Sequence, residues 1–203
     1  GTGGFTAKLL MEYYQFTQDE TFLDEVAFPA MLSLSRFYSK ALVPHGDKLL
    51  VEPSSSPENP ATPEQVEGLP GHLRGRHYST AGCTFDQGFI WETFSDTLAM
   101  ADARGKNDPF LDTIREQITR LDPILVGASG QIKEYREENH YSDIGEPNHR
   151  HISHLCPLFP GTLINSDHAD WMQAASKTLD LRGDKTTGWA LAHRMNCRAR
   201  LGE

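Results

Sequence analysis

Apolar side chains recur at helical spacing along most of this chain and stop where proline, glycine and serine gather. Phe5, Leu9, Leu10, Tyr13 and Phe16 make one stripe, and Phe22, Val26, Met31, Leu34, Phe37 and Tyr38 make a second. Phe85, Phe89, Phe94, Leu98 and Ala101 form a third, and Phe110, Ile114, Ile118 and Leu121 a fourth. The pattern predicts helices over residues 5–16, 19–43, 84–104, 108–122, 169–181 and 189–201. A shorter helix is expected over residues 149–159, stopped by Pro160 and Gly161. No alternating strand pair stands out, so the expected class is all-α.

The connections alternate in length. Thr17 to Asp19 and Gly105 to Asn107 are tight joints of the kind found in αα-hairpins. Residues 44–83, 123–148 and 181–187 instead carry most of the proline, glycine and polar motifs. In an up-and-down helical array every second connection lies at the same end. The motif-bearing loops are therefore expected to share one face, each leading into the N-terminus of a helix.

Composition narrows the picture. A chain of 203 residues, 38% hydrophobic and 23% charged, can bury a core as an ordinary globular domain does. Its formal charge is −9 and its basic residues are scattered, which argues against nucleic acid and against an anionic membrane surface as partners. No stretch approaches the roughly 20 apolar residues of a membrane span. Cys83, Cys156 and Cys197 lie far apart with no CxxC pair, so neither a disulfide framework nor a structural zinc site is expected.

The densest chemistry lies at His149, Arg150, His151, Ile152, Ser153 and His154. Imidazole moves protons near neutral pH, ligates metals and makes directed hydrogen bonds. His151 and His154 are three apart, a spacing that can hold a metal on one helix side. No HExxH-type set accompanies them, so no metal is expected, and contact with a polar ligand or pairing with loop carboxylates stay open. Three loops offer partners. Glu58 sits between Pro57 and Asn59, and read alone is a solvated loop carboxylate or a catalyst. Glu134, Tyr135, Arg136, Glu137 and Glu138 form a charged turn whose aromatic ring also suits a sugar platform. Asp184 precedes Trp189 and either caps the last helix or does chemistry.

Taken in order, Ser56-Pro57-Glu58-Asn59, Gly130 to Tyr135, Arg150-His151-Ile152-Ser153-His154-Leu155, Pro160-Gly161, Arg182-Gly183-Asp184 and Gly188-Trp189 resemble the motif series of glycoside hydrolase family 95. The resemblance covers nearly the whole chain. It implies an (α/α)6 toroid of twelve helices with the active site at the N-terminal ends of the inner ones. The activity it implies is inverting release of terminal α-1,2-linked L-fucose, with no cofactor; the alternatives are an α-L-galactosidase of the same family or a non-catalytic carbohydrate-binding scaffold. Carried over by motif, Glu58 is the general acid and Asp184 polarises the attacking water. Asn59, Glu134, Tyr135, His151, His154 and Trp189 then form the wall around the sugar.

The chain departs from that pattern in places. The Asn-x-Asn motif that positions water in the family has no match upstream of Glu58, Tyr135 stands where Trp is usual, and Ala190 where Ser is usual. Six long helices and one short one make roughly half of a twelve-helix ring. Residues 1–203 are thus expected to be part of a single (α/α)6 catalytic domain truncated at both ends, inactive alone and prone to self-association through exposed helix faces. The family resemblance implies a fucosylated oligosaccharide as partner and a secreted or periplasmic parent.

Overall fold

A computed structural model describes residues 1–203. Helix α1 (Thr2–Thr17) stops where Gln18 enters the left-handed region at φ 55°. The Asp19 carboxylate then accepts the Phe22 N–H at 2.9 Å and caps α2 (Glu20–Phe22). From there the chain passes without a break through a wide π turn, Leu23–Ala27, into α3 (Phe28–Ala41). The wide turn lies just upstream of Pro29, which has no N–H for the i to i−4 ladder and whose ring crowds the preceding turn.

The predicted helix over 19–43 ends early. β1 (Leu42–His45) pairs antiparallel with β2 (Lys48–Val51) through a two-residue turn opened by Gly46 at φ 66°. After the single turn α4 (Pro63–Val66) comes a second hairpin, β3 (His72–Arg74) with β4 (His77–Ser79). Both hairpins correct the expectation of a chain without strand pairs. Each strand is only three or four residues long, and Leu49, Leu50 and Val51 are all buried, so no period-two alternation marks them.

Helix α5 (Thr84–Arg104) is the centre of the molecule. It packs on α1, α3 and α6 (Phe110–Arg120), and buries Ile90, Phe94 and Met100 with Met11, Met31 and Ile114 from those helices. Its polar positions are buried too. Lys8 from α1 reaches Glu92 at 2.8 Å and Asp96 at 3.0 Å, and the Glu92 carboxylate also accepts the Leu163 N–H at 2.8 Å. One carboxylate therefore joins α1, α5 and the segment beyond Pro160. Gly4 lets α1 and α5 approach closely, since a Cβ there would lie 2.8 Å from Phe89 Cβ.

The predicted helix over 149–159 does not form; only a 3₁₀ turn, Ser153–Leu155, is present. The reason is in the carbonyls. His149 O and His151 O accept from the Arg182 guanidinium of α7 (Ala169–Arg182), and Arg150 O accepts from Arg194 of α8 (Gly188–Leu201). Groups that would close helical turns are taken by arginines from two other helices. The segment packs against α5, and a 2.8 Å hydrogen bond between His193 Nε2 and Phe159 O ties its end to α8. Its apolar residues Ile152, Leu155 and Leu158 form a second core with Ile132, Ala175 and Leu179. No helix is long and apolar enough to cross a membrane. Leu9, Tyr13 and Phe16 on α1, and Trp189, Leu191 and Met195 on α8, leave apolar faces uncovered.

Candidate active site

Two of the three motif-bearing loops, 44–83 and 123–148, are tied together through Glu134, and the end of α7 joins them there through Arg182; the 181–187 connection stays at the surface. Three consecutive serines tie down the loop after β2. Ser54 Oγ donates to Asp86 at 2.7 Å, Ser55 Oγ to Tyr78 O at 2.7 Å, and Ser56 Oγ to Glu134 at 2.5 Å. Asn59 continues the series by donating to Glu134 at 3.0 Å and accepting the Glu146 N–H at 2.8 Å. With its neighbours so anchored, Glu58 projects outward. Its side chain is 59% exposed, and one oxygen meets Arg150 Nη2 at 2.5 Å.

Beneath Glu58 lies a buried hub. The Glu134 carboxylate accepts from Ser56, Asn59 and, at 3.0 Å, Arg182. Burial opposes its charge, but His154, Arg182 and the two hydrogen-bond donors outweigh that and hold its pKa near 2. His154 is equally buried, and burial pulls its pKa to about 4 against the attraction of Glu134. It is therefore neutral at pH 7, so the lasting counter-charge to Glu134 is Arg182. The 3.6 Å between His154 Nδ1 and Glu134 is too long for a hydrogen bond. Glu138, buried beside the Glu134 charge, is pushed up to about 8 and accepts the Glu134 N–H at 2.6 Å. One ionised and one neutral carboxyl thus share this interior.

The hub makes stability depend on pH. His154 is depressed from 6.5 to about 4, so its contribution is complete above pH 6.5 and is lost as pH falls through 4. Glu138, raised to about 8, and Asp96, raised by burial to about 6, act in the opposite direction within that window, so the comparison must be between variants. We expect wild type to lose about 2 kcal/mol more than His154→Gln between pH 7 and pH 5. Urea denaturation at both pH values measures this, and parallel losses would assign the acid sensitivity elsewhere.

Above the hub, a cavity of about 230 Å³ opens at the N-termini of three helices. Phe5 comes from α1, Phe85 from α5, Trp189 and His193 from α8, and Glu58 and His151 from the loops. Trp189 is 59% exposed and stacks on His193, ring centroids 5.5 Å apart and nearly parallel. Burial and the Arg150 charge lower His151, leaving a neutral imidazole with both donor and acceptor character. A broader depression of about 980 Å³ over α7 holds neither Glu58, Asp184 nor any histidine, and size alone does not make it the site.

The expected site residues separate by depth. Glu58, His151 and Trp189 face the cavity. Asn59, Glu134, Tyr135 and His154 lie buried under it, the first two as hydrogen-bonded ties and Tyr135 edge-on against Tyr78. Asp184 is exposed on the connection between α7 and α8 and does not line the cavity. Nor does it cap α8, whose N-cap is Thr187. The structure adds residues to which the sequence reading assigned no role. Arg150 pairs with Glu58, Arg182 and Arg194 hold the loop carbonyls, and Phe5 and Phe85 supply aromatic wall. Arg150, between two histidines, and Arg182, in the Arg182-Gly183-Asp184 motif, carried a signal.

A carboxyl group beside an exposed indole and neutral imidazoles, set on a helical frame, is a site suited to carbohydrate chemistry. The chain belongs to glycosyl hydrolase family 95: the description "Glycosyl hydrolase family 95 catalytic domain" matches it over residues 1–203. It is 30% identical to "Probable alpha-fucosidase A" of Aspergillus niger over 98% of its length, and 31% identical to "Alpha-L-fucosidase 2" of Arabidopsis thaliana over 94%. "Probable alpha-fucosidase A" of Aspergillus oryzae matches at 32% identity over 77% of the chain. The chain spans 25%, 22% and 21% of the lengths of these three curated relatives.

Proposed function

We propose that this chain supplies the acid-bearing part of an (α/α)6 catalytic domain that hydrolyses terminal α-1,2-linked L-fucose from glycans with inversion. The observation that carries the reading is the cavity at three helix N-termini, lined by Glu58 together with Trp189, Phe5 and Phe85. In the proposed reaction the bond between the anomeric carbon and the glycosidic oxygen breaks, and its electron pair stays on that oxygen, which takes the Glu58 proton. A water oxygen bonds to the anomeric carbon from the opposite face and its proton passes to the Asp184 carboxylate, which lies outside the cavity in this chain and in this reading is brought to the water by the complete ring. An inverting pair works at about 6.5 to 9.5 Å, a gap that leaves room for the water.

His151 and Trp189 hold the sugar in this scheme. Asn59, Glu134, Tyr135 and His154 fix the loops that aim Glu58 and His151. The uncovered faces of α1 and α8 are where further helices of the ring, or a second copy, would pack. The test is to incubate the full-length protein carrying this chain with an α-1,2-fucosylated oligosaccharide and follow the anomeric protons by NMR. β-L-fucose as the first product is expected. α-L-fucose as the first product would overturn inversion, and no release would overturn the activity.

A further inference from the structure

Glu58 and Arg150 border not one cavity but two. They also border a second hollow of about 360 Å³, which Trp189 does not line; its wall includes Arg76, His77, Glu146 and His149. No aromatic hydrocarbon, leucine or valine lines it. Three separate segments build it: the loop after β2, the hairpin of β3 and β4, and the turn before His149. Arg76 reaches Glu146 at 3.5 Å across its mouth, and Arg150 Nη1 lies 3.4 Å from His149 Nε2. Its volume is that of a small-molecule site, and its wall offers charged and neutral donors beside carboxylate acceptors.

We infer that this polar hollow is the leaving-group site and takes a hydroxyl-rich sugar ring. The inference rests on the proposed acid role of Glu58. An acid that protonates a glycosidic oxygen must stand at the scissile bond, so the two sugars joined by that bond lie on its two sides. The aromatic cavity takes the terminal sugar and the polar hollow takes the sugar that departs. A ring held only by hydrogen bonds from Arg76, His77 and Arg150 is selected for its hydroxyls, and a flat apolar aglycone gains nothing there. Arg76 and His77 are specificity residues for the leaving group; neither touches the terminal sugar.

The experiment compares the full-length protein with its Arg76→Ala and His77→Ala variants on an α-1,2-fucosylated trisaccharide and on 4-nitrophenyl α-L-fucoside. Arg76 is 77% exposed, so its truncation does not threaten folding. We expect kcat/KM on the trisaccharide to fall at least tenfold further than on the aryl fucoside, mostly through KM. Inhibition by the defucosylated disaccharide should weaken in parallel. Equal losses on both substrates, or no loss on either, would overturn the leaving-group assignment while leaving the fucosidase reading in place. Failure of wild type to turn over either substrate would overturn both.

Discussion

Glu58→Gln in the full-length protein should lower kcat on a fucosylated oligosaccharide by about 10²- to 10⁴-fold, the usual worth of a positioned general acid. The amide keeps the shape and can still accept from Arg150, but it has no proton to give. Because the side chain is largely exposed, the fold should be untouched. Leaving groups then separate the roles. Fluoride leaves α-L-fucosyl fluoride without protonation, so the variant should lose far less activity on that substrate than on the glycan. An equal loss on both would show that Glu58 acts on binding or water rather than on the leaving oxygen. Intact hydrolysis of the glycan would remove the acid role altogether.

Arg182→Met should cost about 3–5 kcal/mol of stability, the largest structural effect of any single replacement at this site. The substitution keeps an unbranched side chain but strands the Glu134 carboxylate, which is 3% exposed. It also removes the donor to His151 O, while His149 O retains Arg194 at 3.3 Å. Urea denaturation measures the loss. The double variant Arg182→Met, Glu134→Gln should recover part of it, because the buried charge is gone. A loss below about 1 kcal/mol would mean that Ser56 and Asn59 suffice to hold Glu134 without a cation.

Much of the helical frame was legible in the chain. The 3.6-residue stripes located α1, α5, α6, α7 and α8 to within a few residues, because each helix buries one face or, for α5, nearly all faces. The hairpins were not legible, since strands of three or four residues are too short to show a period. The segment 149–159 looked helical because Ile152, Leu155 and Leu158 do face a core. What denies it a helix is two guanidiniums reaching over from α7 and α8, a tertiary cause that no local window contains. The motifs likewise exposed which side chains gather at the site, but not their depth. Glu58 and Glu134 are the same residue type in similar polar company, yet one lies open beside Arg150 and the other under three donors. Whether a carboxyl meets solvent or a guanidinium is decided by chain segments more than 40 residues away.

The triple attachment of Glu92 bears on how the cavity can breathe. Lys8 on α1, the backbone at Leu163 and α5 itself are all held by that one carboxylate, so the aromatic walls carried by α1 and α5 share a single rigid mount. The loop carrying Glu58 is held instead by separate bonds that join Ser54, Ser55, Ser56 and Asn59 to four different segments. A sugar bound as proposed would therefore meet Phe5 and Phe85 as one fixed pair, since the helices that carry them cannot shift independently without breaking the buried Glu92 contacts.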